Sequence, residues 1–266
     1  MYWNLVKNRF TKVSNMKNFR KGLRSFKRRI KDWYQFLWLH SHVFERRRII
    51  EEFNTCESVE DIIRFVGRHF DSGIGQKSSE IHGALTAAKS TNPRTICEIG
   101  TASGGNSVLL SRWLSTADLM ICMDLYVKNK AYINLLAGNS CRTLFLDGSS
   151  YHPDTVDKVR RALNGRKIDV LFIDGDHRYE GVKSDFLCYR HLVSEGGLIF
   201  FHDIMPDGDD GWLWSGGVPI FWQEVKSFYP YQEFIDDPTQ KGFGIGIIHY
   251  SSKVSVPFDD YVTEGC

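Results

Sequence analysis

Residues 95–110 read T-I-C-E-I-G-T-A-S-G-G-N-S-V-L-L, and this stretch decides the fold of the 266-residue chain. Ile96, Cys97 and Ile99 form a short apolar run, which is typical of a buried parallel strand. Glycines 100, 104 and 105 then predict a turn where a side chain would block a ligand. An apolar helix over 107–114 follows, with Ser103 and Asn106 expected as its caps. A strand, a glycine turn and a helix N-terminus together predict a nucleotide-type site at the edge of an open α/β sheet.

Downstream of this stretch, strand and helix patterns alternate. Strands are predicted at 95–99, 119–123, 141–146, 168–173 and 197–201, and helices at 107–115, 129–137, 153–163 and 180–192. Such alternation is typical of a doubly wound parallel sheet. A helix at 219–228 and two further strands at 231–235 and 242–250, joined as a hairpin, complete the pattern. The fold class predicted is therefore α/β, with seven strands.

The residues before the sheet are predicted to form a helical cap over its mouth. Helices are expected at 43–54, 58–70 and 77–89, and Ser58 with Asp61 forms the pattern of a capping box. Gln76 and Glu80 are candidate lid residues, with solvated surface positions as the alternative. The domain organisation predicted is an arm at 1–42, a helical cap at 43–92, a ligand-binding domain at 93–252 and a C-terminal tail at 253–266.

Charge is distributed unevenly along the chain. Residues 1–31 carry eleven Lys and Arg and no acidic residue, although the net charge of the whole chain is only +2. Aromatic residues are interspersed in this arm and concentrated at 33–39. Residues 1–39 could contact an anionic membrane surface, bind nucleic acid non-specifically, or form a helical arm that packs on the body or on a second copy of the chain. No signature of specific nucleic-acid binding is present.

The cysteines and the hydropathy pattern predict a cytoplasmic protein. The six cysteines fit neither a disulfide framework nor a C-x-x-C metal site, and Cys97 and Cys122 fall in apolar strand-like runs. No apolar run of 18 residues and no signal peptide are found. If the basic arm binds lipid, the predicted location is the inner face of the membrane.

The glycine spacing distinguishes between cofactors. A dinucleotide site would carry G-x-G-x-x-G, whereas this chain has E-x-G-x-x-x-G-G over 98–105. The pattern resembles motif I of the class I S-adenosylmethionine (SAM)-dependent methyltransferases, whose sheet also has seven strands and a terminal hairpin. The resemblance implies a Rossmann-like methyltransferase fold. It also implies a cofactor site formed by several residues of the turn, namely Glu98, Gly100, Ser103, Gly104 and Gly105.

Two further strand ends would complete the cofactor site. Asp124 follows the second strand, 24 residues after Gly100, and is suited to accept hydrogen bonds from both ribose hydroxyls. Asp147, Gly148 and Ser149 follow the third strand, where they are expected to border the adenine.

Acidic and imidazole groups follow the fourth and fifth strands. The sequence reads F-I-D-G-D-H over 172–177 and F-F-H-D over 200–203. Because neighbouring carboxylates repel each other unless a cation or proton lies between them, a divalent metal is expected, with Asp174, Asp203 and His202 as ligands. Oxygen ligands suit Mg²⁺, and an imidazole ligand would favour Mn²⁺ or Fe²⁺. The alternative is that these groups bind substrate or backbone without a metal.

The segments 172–186 and 196–204 resemble methyltransferase family 24, which is similar to metal-dependent O-methyltransferases acting on small molecules and sugars. The resemblance implies that Asp174 is a metal ligand and that His177 stands where the catechol-type enzymes place a lysine base. An imidazole can remove a hydroxyl proton near neutral pH. The expected reaction is therefore metal-assisted methylation of a hydroxyl of a small molecule or saccharide.

The acceptor is expected beside the loop 205–219. Trp212 and Trp214 could stack on a sugar ring or merely fix this loop, and Asp176 is a further candidate substrate contact. The loop acids Asp207, Asp209 and Asp210 could bind acceptor hydroxyls. Two other functions remain open at this stage. One is an NAD-dependent oxidoreductase on a related sheet, and the other is a non-catalytic SAM-binding module anchored by the basic arm. A homo-oligomer is a further open expectation.

Overall fold

The structure is a computed structural model that describes residues 27–28, 30–37, 41–71, 73–138, 141–208 and 214–258. The chain divides into two compact units, Met1–Ile49 and Ile50–Cys266. In the first unit, residues 27–28 and 30–37 are helical. Most of the predicted arm, and residues 259–266 of the predicted tail, lie outside the described residues. None of the helices in these described ranges has the length and apolar character needed to cross a bilayer.

Helices and strands alternate along the second unit as the sequence predicts. The helices are α1 (Val43–Asn54), α2 (Val59–His69), α3 (Ser78–Lys89), α4 (Gly105–Trp113), α5 (Lys130–Ala137), α6 (Pro153–Leu163), α7 (Tyr179–Tyr189) and α8 (Val218–Lys226), of which α1 begins before the boundary between the units. The strands are β1 (Thr95–Ile99), β2 (Leu119–Asp124), β3 (Arg142–Asp147), β4 (Ile168–Ile173), β5 (Val193–His202), β6 (Tyr231–Phe234) and β7 (Ile245–His249).

The strands form one seven-stranded sheet in the order β3-β2-β1-β4-β5-β7-β6. Strands β1 to β5 pair in parallel, and β7 pairs antiparallel with both β5 and β6. The strand order reverses between β1 and β4, and ligands of open α/β sheets bind at such a switch point beyond the carboxyl ends of the strands. The predicted α/β fold with a terminal hairpin is confirmed.

The residues of the inner strands of the sheet are mostly buried because helices pack against it. All five residues of β1 are buried, as are five of the six residues in each of β2 and β4. A large core cluster joins strand residues such as Ile121 and Ile199 to Val156 of α6, Phe186 of α7 and Trp222 of α8. The packed sheet therefore gives a rigid support to the loops that follow the carboxyl ends of its parallel strands.

Local signals were correct for some helix ends and wrong for others. The capping box at Ser58 and Asp61 is present, with both reciprocal hydrogen bonds. Helix α4 begins at Gly105, two residues earlier than expected, and its N-cap is Gly104, which makes no side-chain cap hydrogen bond. The predicted caps Ser103 and Asn106 are therefore wrong, and the Asn106 amide donates to Glu98 instead.

The cysteines agree only in part with the expectation of reduced thiols. Cys56, Cys97, Cys122 and Cys141 are free and buried, as expected for the two strand cysteines. Burial raises the pKa of the Cys141 thiol to about 11. Cys188 is disulfide-bonded, which the cysteine spacing did not predict.

Candidate functional site

A cavity of about 1200 Å³ opens at the carboxyl ends of the parallel strands. Its wall combines the turn after β1, the ends of β2 to β5, the loop before α3 and the loop before β7. The residues discussed below that line it are Gly73, Gly75, Gly100, Ser103, Gly105, Asp124, Gly148, Ser149, Asp174, Asp176, His177, Arg178, His202, Asp203, Asp207, Trp214, Lys241 and Phe243. Most of the site residues predicted from the sequence are thus brought together, but Glu98, Gly104 and Asp147 do not line the cavity.

The glycines of the turn are needed because other parts of the chain pass close to them. Gly100 has a φ of +92°, and a Cβ there would lie 1.8 Å from the carbonyl oxygen of Asp174. A Cβ on Gly105 would lie 2.0 Å from the carbonyl oxygen of Gly73 in the loop before α3. Both glycines line the cavity, and backbone of the neighbouring strand end and of the cap also lies against them, which the sequence did not predict.

Hydrogen bonds to Glu98 stabilise the glycine turn after β1. The Glu98 carboxylate is buried and accepts hydrogen bonds from Thr101 Oγ1 (3.0 Å), Asn106 Nδ2 (2.9 Å) and Ser107 Oγ. Burial raises the pKa of Glu98 to about 7, although these hydrogen bonds oppose the rise. Glu98, predicted to contact the cofactor, does not line the cavity, and its hydrogen bonds fix the glycine turn after β1.

The ends of β2 and β3 supply the second part of the wall. Asp124 Oδ2 accepts from the backbone N–H of Ala102 at 2.8 Å, which ties the strand end to the glycine turn. Asp147 does not line the cavity. Its carboxylate accepts hydrogen bonds from Val127 N at 3.0 Å and from Lys130 Nζ at 2.7 Å. Gly148 and Ser149 face the cavity, as predicted for residues bordering an adenine.

Two carboxylates and two imidazoles meet at the ends of β4 and β5. Asp174 Oδ1 lies 3.2 Å from His177 Nε2 and 3.1 Å from His202 Nδ1. Asp203 Oδ2 lies 3.4 Å from His177 Nδ1 and 3.5 Å from His202 Nδ1. Parallel strand ends converge here, so residues 29 positions apart share one wall.

The donor set fits a divalent cation. Asp174, His177 and Asp203 can each offer one ligand atom, and these atoms all lie within 4.8 Å of one another. A cation bound at about 2.1 Å needs neighbouring donors about 3 Å apart, close to the 3.2 Å between Asp174 Oδ1 and His177 Nε2. His202, predicted as the third ligand, contacts both carboxylates, and its buried Nε2 has no hydrogen-bond partner among the described residues.

The charges of this cluster depend on one another. Burial opposes ionisation of Asp174, but the charge of His202 and hydrogen bonds from both histidines outweigh burial and lower its pKa. The hydrogen bond to Asp174 raises the pKa of His177 to about 9 despite burial. Burial raises the pKa of Asp203. With a pKa of about 9 His177 carries a proton at neutral pH, and its role as general base stays a prediction.

Asp203 is held in an unusual backbone conformation. Its φ is +63°, in the left-handed region that residues other than glycine rarely adopt. Its Oδ1 accepts from the backbone N–H of Phe243 at 3.1 Å, and Phe243 also has a positive φ of 60°. Strained residues of this kind cluster at functional sites, where surrounding contacts must hold them.

The expected acceptor residues line the outer part of the cavity. Asp176 is paired with the Arg178 guanidinium, with Nε at 2.9 Å from Oδ1, and the hydrogen bonds of Arg178 lower the pKa of Asp176 to about 2. Trp214 is 66 % exposed at the rim, and its backbone oxygen contacts His177 Nδ1. Trp212 lies outside the described residues. Asp207, expected to bind acceptor hydroxyls, accepts from the backbone N–H groups of Ser215 and Gly216.

Three residues make contacts at the site that the sequence did not predict, although Gln76 and Glu80 were predicted as candidate lid residues. Gln76 donates from Nε2 to Asp174 Oδ2 at 2.8 Å. Glu80 is buried and accepts from the loop before β7, and Phe243 belongs to that loop. The glycine-bearing segment before α3 indicated only a loop over the sheet, and the hairpin between β6 and β7 carried no motif, so neither predicted contacts with the strand ends.

Comparison with known proteins identifies the domain. Residues 97–204 match the family model of a methyltransferase domain, Methyltransf_24. The resemblance to methyltransferase family 24 is thereby confirmed over this segment, which is about two fifths of the chain.

Individual proteins support the fold. An uncharacterized protein of Acanthamoeba polyphaga mimivirus is 32 % identical over 117 residues, which are 41 % of this chain and 51 % of that protein. The chain thus spans about half the length of this relative. The O-methyltransferase TomG from Streptomyces achromogenes, solved with SAM, has a TM-score of 0.54 at 17 % identity, over 74 % of this chain and 91 % of TomG. An O-methyltransferase from Bacillus cereus, solved with SAH, has a TM-score of 0.50 at 15 % identity, over 74 % and 92 %.

Proposed function

We propose that this chain is a SAM-dependent O-methyltransferase that uses a divalent cation to methylate a hydroxyl of a small molecule or saccharide. The observation that carries the proposal is that one cavity joins the glycine turn after β1 to the carboxylates and imidazoles at the ends of β4 and β5. The methyltransferase domain supports methyl transfer, and the fold shared with enzymes solved with SAM and SAH supports this donor.

The donor would occupy the part of the cavity between β1, β2 and β3. The turn at 100–103 would surround its amino-acid end, Asp124 would accept from the ribose hydroxyls, and Gly148 and Ser149 would border the adenine. Ser149 Oγ is buried and has no hydrogen-bond partner among the described residues, so it is available to a bound base. The chain's contribution to transfer is alignment of the acceptor oxygen with the methyl group.

Asp174, His177 and Asp203 would hold the cation. Two carboxylates suit Mg²⁺, and the imidazole favours Mn²⁺ or Fe²⁺ within the same set. A bound divalent cation would lower the pKa of the acceptor hydroxyl. The backbone oxygen of Trp214 can only accept from His177 Nδ1, so Nε2 carries the lone pair in the neutral imidazole. Because Nε2 lies beside Asp174 Oδ1, the geometry favours His177 as a third donor. Its role as general base remains a prediction.

Asp176 and the aromatic rim would receive the acceptor. Asp176 faces the cavity while bound to Arg178 and to Tyr151 OH at 3.0 Å, so its carboxylate is fixed in position. Trp214 presents an indole at the mouth and Phe243 a second ring. Aromatic faces beside carboxylates suit a ring that carries several hydroxyls, which favours a saccharide.

Calorimetric titration of SAM with Mg²⁺, with Mn²⁺ and with a chelator tests the proposal. Purified protein should bind SAM at micromolar concentration and convert it to SAH when supplied with a metal and an acceptor from a panel of sugars and catechols. Protein that binds neither SAM nor SAH would refute the enzyme and support a non-catalytic module. Equal turnover with metal and with chelator would refute the role of the metal and leave the proposed methyl transfer standing.

We also propose that the arm binds an anionic membrane surface, which would place the enzyme at the inner face of a membrane. In the helical residues 30–37, Ile30, Trp33, Tyr34 and Leu37 recur at the spacing of one helix face and are 40–67 % exposed. The eleven basic residues of 1–31 would face the headgroups. Co-sedimentation with anionic but not with neutral vesicles is the expected result, and self-association without vesicle binding would instead indicate a homo-oligomer.

A further inference from the structure

We infer that the cap segment 76–80 positions both carboxylates of the candidate cation site. The inference rests on the metal-assisted function proposed above. It assigns Gln76 and Glu80 as positioning residues, which contact neither the acceptor nor the donor but fix Asp174 and Asp203.

Gln76 acts on Asp174 directly. Its Nε2 donates to Asp174 Oδ2 at 2.8 Å, while Asp174 Oδ1 faces His177 and His202. The amide therefore fixes the rotation of the carboxylate and directs Oδ1 toward the imidazoles. The carbonyl oxygen of Gln76 is buried and has no hydrogen-bond partner among the described residues. Leaving a buried polar atom unpaired is costly, so this orientation is maintained by the contact with Asp174.

Glu80 acts on Asp203 through the loop before β7. The Glu80 side chain is buried, and its carboxylate accepts from Gly244 N at 2.9 Å, Gln240 Nε2 at 2.7 Å and Asp236 N at 3.2 Å. The residue before Gly244 is Phe243, whose N–H donates to Asp203 Oδ1. Three hydrogen bonds on a single buried carboxylate thus fix the loop that holds the strained Asp203.

The two contacts come from one short segment at the start of α3. Lys77, which lies between the two residues, adds a hydrogen bond from Nζ to Gln240 Oε1 at 2.9 Å. A displacement of this segment would move both carboxylates, because Gln76 is bonded to one and Glu80 to the loop that holds the other. The segment is continuous with residues 73–75, which cover the cavity. Cap position and cation affinity should therefore be linked.

The decisive variant is Gln76→Met, which removes the amide donor and keeps the length of the side chain. Free Mn²⁺ is measured by electron paramagnetic resonance during titration of the full chain, and SAM affinity is measured by calorimetry. Loss of a group that orients a metal ligand typically weakens metal binding by about 10-fold to 100-fold. We expect a loss of about tenfold for Mn²⁺, with unchanged SAM affinity and melting temperature, and recovery of kcat at saturating Mn²⁺.

The matched control is Gln232→Met on β6, where the exposed amide lies 3.5 Å from His249 and does not line the cavity. It should leave both affinities unchanged. Glu80→Gln should also weaken Mn²⁺ binding, and it should in addition lower the melting temperature because one loop donor would then face an amide N–H.

The outcomes separate the two proposals. If the protein without substitutions does not bind Mn²⁺, the metal-assisted function and this inference are both refuted. Normal Mn²⁺ binding in the unchanged protein and equal binding in Gln76→Met would overturn the inference alone. Parallel losses of Mn²⁺ affinity, SAM affinity and stability in Gln76→Met would show that Gln76 only packs the cap, and would also overturn it.

Discussion

Glu98 offers a test of what holds the glycine turn after β1 in its conformation. The perturbation is Glu98→Gln, which removes the charge and keeps the size. The side-chain oxygen of glutamine can still accept from Asn106 Nδ2, and its amide can donate to the hydroxyls of Thr101 and Ser107, which rotate to accept. The network should therefore survive the substitution.

The magnitude follows from the pKa of Glu98. Burial raises that pKa from 4.5 to about 7, so the folded protein keeps a proton that the unfolded chain releases. Stability contributed by the neutral carboxyl is present below the unfolded pKa and is lost as pH rises toward the folded pKa. A shift of this size corresponds to about 3 kcal/mol of unfolding free energy. The glutamine variant has no such proton and should not show this loss.

Urea unfolding of both proteins, followed by tryptophan fluorescence without cofactor between about pH 5 and about pH 8, measures the effect. The stability of Glu98→Gln relative to the unchanged protein should rise with pH by up to about 3 kcal/mol. Glu180→Gln, at an exposed position of α7, controls for the loss of one carboxylate. A stability difference that is constant with pH would show that Glu98 is already ionised in the folded protein at acid pH, and would refute the reasoning.

Three further predictions concern the site. Asp174→Asn should lower the rate of SAH formation by about 100-fold or more while the circular dichroism spectrum is retained, since it removes a charged cation donor; unchanged turnover would contradict the metal role. Gly105→Ala should lower the unfolding free energy by about 1–3 kcal/mol in urea, because the added Cβ would lie 2.0 Å from the carbonyl oxygen of Gly73; equal stability would show that the cap loop moves freely. Trp214→Ala should raise KM for the acceptor with unchanged SAM affinity, because the indole lies at the rim; an unchanged KM would place the acceptor elsewhere.

The sheet could be predicted from the sequence because its signals are local. Apolar runs of five or six residues separated by amphipathic helices identify parallel strands, and strand ends are then known to meet at one edge. Asp174, His202 and Asp203 could therefore be assigned to one cluster before any coordinates existed. Their position is confirmed as a shared wall of the cavity, while their roles stay predictions.

The parts that could not be predicted depend on contacts distant in the sequence. Gln76 reaches Asp174 across 98 positions, and Gly244 reaches Glu80 across 164. No periodicity or motif records such pairs, because each residue is an ordinary polar or glycine position in its own segment. The glycine turn shows the same limit: its spacing indicated a ligand site, but the backbone that passes beside Gly100 and Gly105 became visible only in three dimensions.

The hairpin of β6 and β7 has a consequence for how relatives of this chain should be interpreted. The match to the methyltransferase family model ends at residue 204, yet the wall of the cavity also includes Trp214, Lys241 and Phe243 on the C-terminal side of the match and Gly73 and Gly75 on its N-terminal side. Under the proposed function, the central segment would bind the methyl donor and the two flanking segments would contact the acceptor. Proteins that share only the central segment should agree in methyl donor and diverge in the molecule they modify, so substrate assignment should follow similarity in the flanks.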